Sequence, residues 1–330
     1  MSIADVPTWE WCWIAFSLFS SVVHCFVLIT ILLSKQSSTN SVLKGPFFTL
    51  VVIQGIHELL EVATVNGFNR ARKYRIIEYA IEKDNNVVEL QWYWFIFLKN
   101  ILYMGHLLIA ANRLSALLMR GVSKYDRVWC TKNILMMVGV FYLISIVLRL
   151  VIFESNISFT TYIFNGTDIF TFEQKSYEFT VGFRYFRVSA HQFENSSDIC
   201  LSTGSALICA IIYTSCFVIS RKNGFSRLSA DVRRQERTLL KCGVATFIMM
   251  IPTSFRSGIE LYSQLGRKDQ ELMDFITKWN MLPAEAMCVF QPWLLLLTCT
   301  ALRRAIFKQE TTVSEMSNSH QHFKISVAHN

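Results

Sequence analysis

Seven apolar runs, each about the length needed to cross a bilayer, constrain this chain more than any other feature. They cover residues 11–33, 46–65, 92–118, 133–153, 199–220, 239–262 and 279–302. The hydrocarbon core is ~30 Å thick, so a spanning helix needs ~20 mostly apolar residues. The second run is the least regular, because His57, Glu58 and Glu61 lie inside it. Pro252, Pro283 and Pro292 fall in the last two, where they would break helices in water. In a bundle, neighbouring helices and hydroxyl side chains satisfy the freed carbonyls. The first run is preceded by Asp5 and Glu10 and by no Lys or Arg, unlike a cleaved signal peptide, and reads as a retained span.

Composition points the same way. The 330 residues are 52% hydrophobic and only 17% charged, whereas a soluble domain carries ~25% charge to cover its core. With 26 Phe, 11 Tyr and 8 Trp, an unstructured chain would collapse. The net charge of +8 has to be located before it says anything about nucleic acid. The expected fold is an all-α membrane protein, a seven-transmembrane helix bundle.

Loop charge sets the orientation. With the N-terminus outside, the inner segments 34–45, 119–132, 221–238 and 303–310 hold fifteen basic residues against four acidic. The outer segments hold ten basic against fifteen acidic, with Arg70, Arg72, Lys73 and Arg75 clustered on the outer side. Three glycosylation sequons, at Asn156, Asn165 and Asn195, fall in the one loop after the fourth run. Glycosylation is lumenal, so that loop is expected outside. The expected organisation is an extracellular N-terminus at 1–10, a bundle at 11–302 and a cytoplasmic tail at 303–330. Thr311, Thr312, Ser314, Ser317 and Ser319 in that tail are candidate phosphate acceptors.

Ionisable residues inside spans are costly and mark function by default. Glu58, Glu61, Lys99, Arg149, Arg256 and Glu260 fall in the outer halves of their helices, and His106 and Glu285 near mid-depth. The inner halves hold mainly Arg113 and Lys241, close enough to the boundary to snorkel. This distribution predicts a polar cavity open to the outside above a drier inner seal. Each of these eight residues is a candidate ligand contact; each is also a candidate for a structural ion pair between helices. Arg256 and Glu260, four residues apart, are placed to pair with each other.

His57-Glu58-Leu59-Leu60-Glu61 invites comparison with a zinc-protease helix, but the second His four residues on is missing. No Gly-x-Ser-x-Gly, no phosphate-cradling Gly loop and no Cys-x-x-Cys occurs. No enzyme and no cofactor is expected. Of nine cysteines only Cys12 and Cys200 lie near the outer surface, either bridged or as two free thiols.

Within the long outer loop, Tyr177, Phe179, Val181, Phe183 and Tyr185 alternate with polar or small residues, the period of a half-buried strand. Asn165-Gly166 suits a type I′ turn. A β-hairpin in the second outer loop is therefore expected, as a lid over the bundle or as a glycosylated surface cap. On the inner side, Arg233, Arg234 and Arg237 precede the sixth run and should extend its helix into the cytosol. Such basic extensions suit acidic protein partners or anionic lipid, although positive-inside topology also accounts for them. Pro252 is a candidate hinge.

These features together resemble a G-protein-coupled receptor, with three departures from the rhodopsin-like pattern. Ala111-Asn112-Arg113 replaces an acidic-Arg-aromatic triplet, Gln291-Pro292-Trp293 stands in place of Asn-Pro-x-x-Tyr, and no Cys sits at the outer end of the third span. Asn112-Arg113-x-x-Ala116-Leu117 followed by Tyr125 and Trp129 resembles the nematode serpentine chemoreceptors of the Srg superfamily, most of all serpentine receptor class gamma. So do Glu236-Arg237-x-Leu239-Leu240, Gln291-Pro292-Trp293-Leu294-Leu295 and Leu302-Arg303-Arg304. The resemblance covers roughly residues 10–305, with one departure, the lack of Pro in 119–132. It implies a plasma-membrane protein, in the cilium of sensory neurons, that detects small environmental or pheromone molecules. Its implied partners are a small-molecule ligand, a heterotrimeric G protein and the lipid bilayer, with no nucleic acid. Asn112, Arg113, Arg233, Arg234 and Arg237 are the expected G-protein contacts. The alternative is a seven-span ligand-gated channel or transporter of inverted topology, which the proline breaks, confined to spans six and seven, disfavour.

Overall fold

A computed structural model describes residues 7–36, 42–70, 85–119, 122–150, 157–164, 167–174, 178–180, 187–222, 230–265 and 282–307. The apolar runs are helical. They form α1 (Thr8–Gln36), α2 (Pro46–Thr64), α3 (Asn85–Leu118), α5 (Thr131–Leu150), α6 (Ala190–Lys222), α7 (Ala230–Leu265) and α8 (Leu282–Thr298), with a short α4 (Val122–Val128) between α3 and α5. A 3-10 turn, Val42–Lys44, leads into α2, whose first position is proline, where the missing N–H is no loss.

Exposure is the reverse of a soluble protein's. Val22, Phe26 and Ile29 on α1, Leu135, Met136 and Leu143 on α5, and Leu207, Ile211 and Phe217 on α6 all face outward. The polar residues of α1 turn inward: Ser17, Ser20, His24 and Ser34 lie buried along one helical stripe. Small and polar interior residues under an apolar coat are the arrangement expected when the solvent is lipid. Among the described residues four helices are long and apolar enough to cross a membrane, and five if the bent pair Leu282–Thr298 and Thr300–Phe307 counts as one. The chain is a multi-pass membrane protein.

Helix α3 runs through the middle, packed against α2, α5, α6 and α7. Helix α8 closes the arrangement by packing on α1, α2 and α7. Two glycines permit the closest approaches. A Cβ on Gly55 would lie 2.7 Å from Leu28 Cδ2 and 2.8 Å from His24 Nε2, so α1 and α2 touch there. A Cβ on Gly105 would lie 1.8 Å from Gln54 Oε1, which fixes α3 against α2 in the same way.

Three expectations about helix geometry change. Pro283 sits in the first turn of α8, where proline is tolerated, and breaks nothing. Helix α2 does not stop at residue 65: it continues as a π-helical turn, Val65–Arg70, which carries Asn66 and Arg70 back over the bundle. After Thr298 the chain bends by 84° into α9 (Thr300–Phe307). That helix buries Leu302 and Ala305 and exposes Arg303, Arg304 and Phe307.

Between α5 and α6, β1 (Ile157–Phe164) pairs antiparallel with β2 (Thr167–Gln174), with Phe164 opposite Thr167. Asn165 and Gly166 lie outside the described residues. Of the alternating stretch 177–185, Glu178–Thr180 forms β3, paired with β4 (Arg187–Ser189). The remainder of it lies outside the described residues. Helix α6 begins at Ala190, so Asn195 stands on its second turn and not in a loop.

Candidate functional site

The buried polar groups collect at three levels, beginning at the end of the bundle where α1 starts. There Glu285 of α8 is fully buried and receives five donors. Arg70 reaches it twice, Nη1 to Oε1 at 2.7 Å and Nη2 to Oε2 at 2.5 Å. Trp13 Nε1 donates at 2.6 Å, Ser17 Oγ at 2.8 Å and Asn66 Nδ2 at 2.9 Å. Arg70 Nε also meets Glu10 at 3.4 Å. Burial works against the Arg70 charge, but hydrogen bonds and charge from Glu285, helped by Glu10, outweigh it and raise the pKa. A two-pronged arginine–carboxylate pair is the strongest form of this interaction. Glu285 is thus a fastening between α1, α2 and α8, the structural alternative left open by the sequence. Arg70 is buried in it and is not part of an exposed basic loop.

Beside this hub, α2, α3, α6 and α7 bring a second set together. Lys99 Nζ on α3 donates to Asp198 Oδ2 on α6 at 2.7 Å, and Ser257 Oγ on α7 donates to the same oxygen at 2.8 Å. Glu61 of α2 lies within electrostatic reach of Lys99, Arg256 and Asp198. The Tyr103 hydroxyl lies in the same field. Both oxygens of Glu61, Asp198 Oδ1 and Tyr103 OH are buried here without a hydrogen-bond partner, and so, on the same helices α3 and α7, are the Asn100 amide and Thr253 Oγ1. Buried polar atoms are normally satisfied, so a convergent set of orphans calls for a ligand or water.

Nearly one helical turn before Glu61 on α2, Glu58 sits between two histidines. His24 Nε2 of α1 is 3.6 Å from Oε2, and His106 Nε2 of α3 is 4.0 Å from Oε1. Gln54 Nε2 donates to the Leu102 carbonyl at 3.3 Å. His57 does not face this group; it bonds Tyr142 of α5 at 2.5 Å. The His57 and Glu58 side chains therefore go to different helices, and no metal-binding group is found among the described residues.

At the opposite end, Arg113 is buried, with its guanidinium 4.3 Å from the centre of the Phe47 ring. Its Nη2 donates to Asn112 Oδ1 at 2.7 Å, and Asn112 Nδ2 donates to the Tyr125 hydroxyl at 2.8 Å. Asn112, Arg113 and Tyr125, three members of one sequence string, thus form a continuous chain of bonds from α3 to α4. The indole of Trp129, the last member, is buried in the apolar core at this end. In the second half of α8, Trp293 stacks on Phe16 at 6.4 Å and donates to Ser20 Oγ at 3.0 Å.

The chain matches the family described as Serpentine type 7TM GPCR chemoreceptor Srv over residues 13–312. It belongs to that family. No curated protein matches it. The nematode serpentine chemoreceptor expected from the short motifs is thereby shown, and class gamma gives way to Srv. Strings as short as Asn112-Arg113-x-x-Ala116-Leu117 identify a serpentine receptor without separating its classes. As a member of a receptor family and not of an enzyme family, this Srv chain needs no active site to explain its buried polar groups.

The structure brings together five of the eight candidate ligand contacts, Glu58, Glu61, Lys99, His106 and Arg256, and assigns Glu285 to the hub. The side chains of Arg149 and Glu260 lie outside the described residues, so the proposed Arg256–Glu260 pair does too. Arg233, Arg234 and Arg237 stand on α7, ahead of the apolar run; their side chains lie outside the described residues. Asn156 and Asn165 are likewise outside them. Asp198, Arg70, Asn66, Trp13 and His24 were not among the expected site residues. A usable signal existed for Asp198, since an acidic residue just ahead of an apolar run faces the same bundle as Lys99. Cys12 and Cys200 are both free, the second of the two expectations.

Proposed function

We propose that this Srv chain is a chemosensory receptor that takes a small molecule among Glu61, Lys99, Tyr103, Asp198 and Arg256 and signals through the opposite end to a heterotrimeric G protein. The observation that carries this reading is the set of orphaned polar atoms shared by α2, α3, α6 and α7. A ligand bound there touches four helices at once, and it shifts their arrangement only by binding one arrangement better than the other. Helix α7 contributes Arg256 and Ser257 at one end and Arg233, Arg234 and Arg237 at the other, with Pro252 between them. A ligand pulling on Asp198 and Ser257 would load that hinge and swing the basic end of α7 away from Arg113, opening a groove for the G protein.

In this reading the N-terminus is extracellular and the tail cytoplasmic. Glycans occupy Asn156, Asn165 and Asn195, the strands β1 and β2 act as a lid, and the protein resides in the plasma membrane of a sensory cilium. The test is nucleotide exchange on a co-reconstituted Gα subunit against a panel of small molecules. At least one should accelerate exchange saturably, and Arg113→Ala should abolish the acceleration. Full exchange by Arg113→Ala under a confirmed agonist would remove that residue from the mechanism.

A further inference from the structure

Among the described residues of the buried polar region, carboxyl groups outnumber cations. Among the described residues, Glu10, Glu58, Glu61, Asp198 and Glu285 are buried carboxyl groups, against buried Arg70 and Lys99 and half-buried Arg256. Donors are unevenly shared as well. Glu285 takes five of them, and Asp198 Oδ2 takes two. Both oxygens of Glu61 and Oδ1 of Asp198 take none. Two uncharged groups in α3, the Asn100 amide and the Tyr103 hydroxyl, are also at least 99% buried and unpartnered, which is independent of the acidic count.

We infer that the ligand of this site carries a primary ammonium group, held by Glu61 and Asp198, with Tyr103 free to meet a second polar group on the same molecule. The inference rests on the reading of this cluster as the ligand site. A primary ammonium offers three N–H donors in a compact charge and matches three acceptor oxygens that have no donor. Charged donors also make the stronger hydrogen bonds. An alcohol offers one donor and leaves two oxygens dry. A carboxylate ligand brings further acceptors against acceptors already unsatisfied, and a quaternary ammonium brings charge without N–H groups.

The experiment uses the purified full-length protein in detergent and measures binding and thermal shift. The probes are primary monoamines of graded size, each beside the alcohol, the carboxylic acid and the N-trimethyl compound on the same carbon skeleton. One or more amines should bind saturably, with the alcohol and the N-trimethyl compound about tenfold or more weaker and the acid not binding. Glu61→Gln should weaken the amine about tenfold or more, and Asp198→Asn should do so separately, so failure of either variant to fold leaves the other. Absence of amine binding, equal or tighter binding of the alcohol or acid, or unchanged amine affinity in Glu61→Gln would each overturn the inference. The same compounds are then tested for Gα nucleotide exchange. An amine that binds without promoting exchange removes the receptor reading and leaves this inference standing; an acid or alcohol that binds and promotes exchange does the reverse.

Discussion

Arg70 and Glu285 stand 215 positions apart in the chain and share two hydrogen bonds in the buried interior, at 2.7 and 2.5 Å. That pair, with Trp13, Ser17 and Asn66 around it, ties the start of α1 and the end of α2 to the start of α8. Removing one partner leaves the other charged in a medium that cannot solvate it, a loss of about 3–5 kcal/mol. Arg70→Ala and Glu285→Ala should each lower the unfolding free energy in detergent by that order, read as a lower thermal midpoint. The double variant Arg70→Met with Glu285→Met should recover most of the loss. If the singles prove neutral, the hub does not hold the helices together.

Close helix contacts at Gly55 and Gly105 give a second, independent prediction. Gly55→Ala and Gly105→Ala force a methyl group against Leu28 and His24 or against Gln54, and overpacking of this kind costs about 1–3 kcal/mol. Gly139 has nothing within 4 Å of its would-be Cβ, so Gly139→Ala should be neutral or stabilise by up to about 1 kcal/mol through helix propensity. Thermal melts of the three variants side by side check the contrast. Equal losses at all three positions would mean that the α1–α2 and α2–α3 contacts are not close.

Lys99 and Asp198 join α3 to α6 with a 2.7 Å ion pair, each residue nearly fully buried. Lys99→Met leaves the Asp198 charge with the Ser257 hydroxyl as donor and without its cation, and should cost about 3 kcal/mol or more. Adding Asp198→Asn to it should restore part of that stability, because the stranded charge is gone. A double-mutant cycle on unfolding free energy measures the coupling; a coupling near zero would refute a direct pair.

Coupling at the far end depends on the chain Arg113–Asn112–Tyr125. Tyr125→Phe deletes one neutral hydrogen bond and should change stability by about 1 kcal/mol. Asn112→Ala removes the link to both neighbours and should depress agonist-driven exchange well beyond its effect on agonist affinity. Equal loss of affinity and exchange in Asn112→Ala would place it in folding and not in coupling.

The helices were legible because lipid imposes a length and a composition on each of them, and α1, α2 and α3 lie where the apolar runs lie. The partners of the buried charges were not. Residue depth in the bilayer puts Glu61 and Lys99 in the outer half and Glu285 near mid-depth but says nothing about azimuth, so the five donors that Glu285 takes from α1 and the end of α2 could not be read from it. The π-helical turn at Val65–Arg70 is equally silent in the sequence, because a one-residue widening of a helix leaves no composition mark. Without it Arg70 reads as a loop residue, as the charge count took it. Asp198 was lost to a boundary: counting the fifth span from residue 199 put it in the loop, whereas α6 starts at Ala190. The string at 112–129 carried the most information per residue, since its polar members proved to be bonded to one another.

Orientation in the bilayer tests the receptor account most directly, because the polar cluster must face the outside and Arg113 the cytosol. The measurement is antibody access to an epitope at residue 1 and to a second at residue 330 in intact cells. The receptor account predicts staining of the first without permeabilisation and of the second only after it. The opposite pattern would contradict it and favour the inverted channel or transporter.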